Sequence, residues 1–145
     1  MAYIPFYPDC STSYIGDTEI GDRKVRIFHG TADDYNPVAT CKVYVQRLRE
    51  ARRDVELTEY ANAFHVFDNP IGPVPATVAA KSQTVRTCTI REIGGGALIN
   101  EATKAPFTYN DACVQTGPRI GADPEAAQAA SRAVRDLLRL AFRIE

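Results

Sequence analysis

The stretch from Lys24 to Tyr60 leaves few folds open. It begins as an apolar run, Lys24-Val25-Arg26-Ile27-Phe28-His29, turns through Gly30-Thr31-Ala32-Asp33, and enters a proline-led segment at Asn36-Pro37. Cys41, Val45 and Leu48 then recur at the four- and three-residue spacing that lines one face of a helix. Arg47, Arg49, Arg52 and Arg53 fall outside that face. The expected helix covers Val38 to Arg53, with Asn36 as cap and Pro37 in the first helical position. Asp54 to Tyr60 is the next strand. Strand, helix and strand in close succession pair parallel, because parallel neighbours need a crossover and cannot be joined by a tight turn. The fold class is therefore α/β, built on a parallel sheet with crossover helices.

Upstream, Ala2 to Tyr7 is a short apolar strand halted by Pro8, and Cys10 to Arg23 is polar and turn-rich. A second apolar patch carries the other charged candidate, in Tyr60-Ala61-Asn62-Ala63-Phe64-His65-Val66-Phe67-Asp68, a strand that ends in a loop histidine. Beyond residue 69 the character changes. Pro70, Gly72, Pro73 and Pro75 form an irregular linker, and Thr84 to Ile93 and Ala97 to Thr103 read as antiparallel strands joined by Gly94-Gly95-Gly96. Cys113 to Ile120 is a loop of small residues. Asp123 and Pro124 open a last helix, with an apolar stripe of Ala127, Ala130, Val134, Leu137, Leu138 and Ala141. Residues 1–69 thus form an αβ part and residues 70–145 a hairpin region with a final helix, together one domain.

The 145 residues carry 17 basic and 18 acidic side chains and are 45% hydrophobic, an ordinary composition for a chain that buries a core. The scattered arginines offer no basic footprint for nucleic acid, and no membrane signal stands out: there is neither a secretory leader nor an apolar run of bilayer length. Cys10, Cys41, Cys88 and Cys113 lack metal-type spacing. They are free buried thiols or disulfides. Of the three possible pairings, Cys10 with Cys41 and Cys88 with Cys113 fit the element order, and paired cysteines would point to an exported protein, unpaired ones to the cytoplasm.

Taken singly, Asp33 is most simply a turn former and His65 a satisfied loop residue. In order and spacing together, Gly30-x-x-Asp33-x-x-Asn36-Pro37 and Phe64-His65-Val66-Phe67 resemble the C-terminal half of a dienelactone hydrolase family member of the α/β-hydrolase superfamily. Phe6-Tyr7-Pro8-Asp9-Cys10, Cys41 and the final amphipathic helix extend the resemblance. It implies a partial α/β-hydrolase fold and hydrolysis of a small ester or lactone by a Ser or Cys nucleophile, with His65 as general base and Asp33 as the acid that orients it. Asp34 is then a solvated turn residue or a helix N-terminal charge, and His29 is structural.

The resemblance implies no cofactor and no metal. The nucleophile is missing, for neither Gly-x-Ser-x-Gly nor Gly-x-Cys-x-Gly occurs. Cys10, Ser11 and Ser13 lack the flanking glycines of a strained elbow, and Gly94-Gly95-Gly96 lies too late for an oxyanion loop and suits a hairpin turn. The sequence is therefore expected to start just past the nucleophile helix, to be inactive alone, and to self-associate through the sheet edge left at Ala2 to Tyr7. A non-catalytic binding domain on a degenerate hydrolase sheet is the alternative.

Overall fold

A computed structural model describes residues 2–143. In chain order its elements are β1 (Ala2–Tyr3), β2 (Thr12–Ser13), β3 (Lys24–Gly30), α1 (Val38–Glu50), β4 (Val55–Tyr60), β5 (Thr77–Val78), β6 (Gln83–Thr84), β7 (Ile90–Gly94), β8 (Ala97–Asn100), β9 (Gln115–Thr116), β10 (Arg119–Ile120) and α2 (Pro124–Phe142). The chain is a mixed α/β protein with two helices and several small sheets among the described residues. Its central sheet is parallel, in the order β1-β3-β4.

Strand β3 sits in the middle because its residues alternate between two apolar faces. Val25 and Ile27 pack with Val45 of α1, while Phe28 points the other way, into a core with Ala63, Phe67, Ala126 and Ala130. Helix α1 thus covers one face and α2 the other, the double cover that a parallel sheet requires. Registers run from Ala2 opposite Lys24 and from Val25 opposite Val55 to Gly30 opposite Tyr60. Both β3 and β4 therefore release their chains at the same edge.

Several boundaries differ from the sequence expectation, each for a local reason. The first strand has a ladder only over Ala2–Tyr3. Pro5, whose carbonyl faces β3 and accepts from the Phe28 N–H, has no N–H to return, and pairing resumes at Phe6 opposite Phe28. Asn36 does not cap α1; its amide donates to the Tyr7 carbonyl, and Pro37 takes the cap position without a side-chain bond. At the other end α1 stops at Glu50, short of Arg53. Arg52 adopts a left-handed φ of 58°, and the Arg53 N–H closes back onto the Leu48 carbonyl, an ending usually signalled by glycine.

The later region is more broken than its apolar pattern suggests. The stretch from Thr84 to Ile93 splits into β6 and β7 around a turn in which the Cys88 N–H donates to the Val85 carbonyl. Strand β8 ends at Asn100, whose side-chain oxygen accepts from the Ala102 N–H and starts a turn. The supposed loop from Cys113 to Ile120 contains β9 and β10, paired with β6 and β5. Gly95 and Gly96, both at positive φ, make the β7–β8 hairpin turn. In α2 the seated residues are Ala126 and Ala130, flanked by Ala133 and Val134. Leu138 and Ala141 of the expected stripe are exposed, because the last turns run past the sheet.

The two disulfides, Cys10–Cys41 and Cys88–Cys113, join the segment after β1 to α1 and staple the small core around Val85 and Ile90. Among the described residues no helix is long and apolar enough to cross a membrane.

One close approach fixes where β3 can end. A Cβ on Gly30 would lie 2.1 Å from the Ala63 carbonyl oxygen, and that oxygen is held by the Ala32 N–H. Gly30→Ala should therefore destabilise the fold by at least the roughly 1–3 kcal/mol of an overpacked core. Denaturant unfolding that differs from wild type by less than the measurement error would show that this crossing can relax.

Candidate functional site

Asp33 lies three residues past β3 and His65 five past β4, so the parallel pairing of those strands brings the two loops together. The Asp33 side chain is fully buried, and three donors converge on it. Oδ1 accepts from the N–H groups of Tyr35 (2.9 Å) and Asn36 (2.8 Å), an arrangement typical of an aspartate in a turn, and Oδ2 accepts from Nδ1 of His65 at 2.9 Å. A carboxylate can only accept, so Nδ1 of the neutral ring carries the proton and Nε2 the lone pair.

The imidazole is held on two sides. Tyr35 stacks on it with ring centroids 4.5 Å apart, and Tyr7 meets it edge-on, also at 4.5 Å. Its backbone is pinned as well, with His65 bridged to Ile120 and its carbonyl accepting from the Gly121 N–H. Val66, the next residue, has φ of 60°, a left-handed conformation that a β-branched side chain rarely adopts. Tyr7 is likewise left-handed, at 37°. Strain of this kind persists only where the surroundings over-determine it.

Tyr7, which the sequence places in the Phe6-Tyr7-Pro8-Asp9-Cys10 segment without a role, belongs to the site. Its hydroxyl donates to Asp68 Oδ1 at 2.8 Å, its N–H to the Phe28 carbonyl, and its carbonyl accepts from Asn36. Burial, then the hydrogen bond to Asp68, then the negative charges of Asp68 and Asp33 push its phenol well above the ordinary tyrosine range. Its signals in the sequence are that segment and its place at the end of a strand that leads to the same edge.

His29 is fully buried beside the acid, yet Nδ1 lies 3.1 Å from the Gly30 carbonyl and 4.0 Å from Asp33 Oδ2, beyond hydrogen-bond distance. Among the described residues this leaves His65 as the only side chain bonded to Asp33. Asp34 is a turn residue only partly open to solvent and is not a helix charge. Its carboxylate takes the Arg119 N–H and Nε at 2.7 and 3.0 Å and lies 3.4 Å from Arg86, so it fastens the later region to the acid's loop.

Among the described residues His65 makes no hydrogen bond to a serine, and no cysteine is free. Cys10, as half of a disulfide, has no thiol to offer, and the buried Ser11 hydroxyl has no hydrogen-bond partner. Gly94-Gly95-Gly96 serves the distant hairpin. No cluster of three or more His, Cys, Asp and Glu suited to a metal occurs among the described residues. Comparison with models of known protein families, with curated proteins and with solved structures finds no match.

The Tyr7–Asp68 bond has a defined pH signature. The folded state holds the phenolic proton to higher pH than the unfolded chain, so the contribution is complete below the ordinary tyrosine pKa of about 10 and is lost as pH rises beyond it. Tyr7→Phe should cost about 1.5–3 kcal/mol at neutral pH, the range for a hydrogen bond to a charged group, with the difference shrinking in strong alkali. In an absorbance titration, the phenol missing from the variant should be one that ionises above the ordinary range. A missing step centred near pH 10 would mean that Asp68 does not hold the hydroxyl.

Proposed function

We propose that Asp33 and His65 are the acid and the general base of an α/β-hydrolase resembling dienelactone hydrolase, acting on a small ester or lactone. The observation that carries this is the 2.9 Å contact from His65 Nδ1 to a buried carboxylate, made between loops that leave adjacent parallel strands at one edge. Open α/β sheets bind ligands at such edges. In the proposed cycle His65 Nε2 takes the proton of a Ser or Cys nucleophile as it attacks the ester carbonyl, then gives it to the leaving alcohol, forming the acyl-enzyme. Water, deprotonated by the same nitrogen, releases the acid and restores the nucleophile. Asp33 keeps Nδ1 protonated and faces the imidazolium that forms.

The nucleophile and the oxyanion donors come, in this proposal, from polypeptide outside these residues, on a strand alongside β1. Two features support that place. The Pro5 carbonyl and the Tyr7 N–H face β3, so the N–H and C=O groups of Phe6 between them face outward. Beside them lies a cavity of about 520 Å³ lined largely by apolar residues, among them Tyr3, Ile4, Ile20, Val25 and Ile27. With the two disulfides, we place the protein in an oxidising compartment.

Joined to the strand–elbow–helix half of a dienelactone hydrolase, this chain should restore saturable turnover of p-nitrophenyl acetate. Asp33→Asn should lower that turnover by about 10⁴-fold by favouring the wrong tautomer, and the chain alone should match its own His65→Ala variant. Turnover that is unaffected by either substitution would favour the alternative, a binding domain.

We also propose that the unpaired β1 edge recruits a second copy when the chain is alone, since residues 2–8 carry no charge to deter pairing. Sedimentation velocity should show concentration-dependent dimers that Tyr3→Lys abolishes. A monomer at high concentration would count against this.

A further inference from the structure

Arg119 touches the immediate neighbour of each dyad residue. Its N–H and Nε bond the carboxylate of Asp34, next to Asp33, and its guanidinium lies 4.8 Å from the ring centroid of Phe64, next to His65. The four residues after it continue along the histidine loop. Ile120 bridges to His65, the Gly121 N–H bonds the His65 carbonyl, and the Asp123 N–H bonds the Phe67 carbonyl at 2.8 Å before the Asp123 side chain caps α2. Gly121 is packed so closely that a Cβ there would fall 2.6 Å from that of Ala76. One extended segment is thus anchored at α2, pinned on Ala76, and laid across both loops.

Loops released from two different strands have no covalent reason to keep side chains at hydrogen-bond distance, and here the histidine loop also carries the unfavourable Val66 backbone. The loops are bonded to each other near their bases, Ala32 N–H to the Ala63 carbonyl and Asn62 N–H to Thr31 Oγ1, and an element that binds both beside the dyad adds a constraint further out. Arg119 suits that task, since its planar fork reaches a carboxylate while its face rests on an aromatic ring. Arg86 grips the acid's loop alone, through the Asp34 carbonyl and carboxylate.

We propose that Arg119 is a positioning residue, and that the segment Arg119–Asp123 is a strap that sets the distance between Asp33 and His65. The proposal rests on the Asp33–His65 pair being the working dyad. It adds that the dyad is held from the later β region, so that whatever displaces this strap alters the pair without touching it.

The test is NMR of the full chain, following the His65 Nδ1 proton and its exchange with water. Arg119→Ala should leave the amide spectrum of β3, β4 and α1 in place but speed exchange of that proton by about three- to thirtyfold, the span of an exposed ion pair plus a cation–π contact. Arg119→Lys should recover only part of the protection. Phe64→Leu, which keeps the pair with Asp34, should give an intermediate rate and serves if Arg119→Ala fails to fold. Exchange at the wild-type rate in folded Arg119→Ala, or in Phe64→Leu, would overturn the strap. Asp33→Asn separates the two ideas. If it leaves the proton's signal unchanged, the dyad itself is wrong; if it removes the signal while the Arg119 variants change nothing, only the strap fails.

Discussion

The Asp33 carboxylate ties the segment that enters α1 to the loop that follows β4. Its Oδ1 holds the start of α1 through the N–H groups of Tyr35 and Asn36, and its Oδ2 holds the His65 loop. A buried carboxylate is tolerated only when its lone pairs are taken up, so each of these donors is required by the burial of the others. The acid's side of the pair is therefore set as its turn folds, while the His65 loop is also bonded by Ile120 and Gly121 of the later region. Gly30 makes the burial feasible by letting the Ala63 backbone cross close enough to cover the turn.

That arrangement concentrates strain where chemistry is proposed. Tyr7 and Val66 both hold left-handed backbones, one against the His65 ring and one beside it in the chain. Each costs of the order of 1–3 kcal/mol. The surrounding bonds are dense enough to offset it: the N–H, carbonyl and hydroxyl of Tyr7 are all engaged, and the carbonyls of His65, Val66 and Phe67 each accept from a different N–H. The Cys10–Cys41 link adds a covalent tie between the segment just after Tyr7 and the helix just after Asp33. Relaxing any one of these bonds leaves the rest to hold the ring.

What could be read from the sequence follows the range of the forces involved. The parallel β1-β3-β4 sheet, α1 and the start of α2 were legible because apolar period and an aspartate followed by proline are local signals. Asp33 and His65 could be singled out by their order, but their contact depends on strand register, which no local pattern states. The end of α1 was misjudged because Arg52 adopts a conformation that composition assigns to glycine. Asn36 was misassigned because its best partner, the Tyr7 carbonyl, lies far away in sequence. The later region was least legible: strands of two residues carry no period, and they are held by a disulfide and by side chains reaching back to Asp34 and Tyr35.

Asp33 and Asp34 show how little of a role is carried by residue type. Both are aspartates in one turn, yet one is fully buried and meets only N–H donors and a histidine, while the other is partly open and meets two arginines. Reversing them would be damaging. A guanidinium on the buried carboxylate would occupy the oxygen that His65 bonds and, in the proposed acyl transfer, would place a fixed positive charge against a ring that must itself become positive. The turn presents one carboxylate to each side, so the later region can be fastened by strong ionic contacts to Asp34 while Asp33 is left to the histidine. The separation depends on the turn's backbone, and that backbone is held from below by the Gly30 carbonyl, which accepts the Asp33 N–H, and from above by Thr84 and Arg86 on the Tyr35 and Asp34 carbonyls. Moving either arginine inward would require this turn to open first.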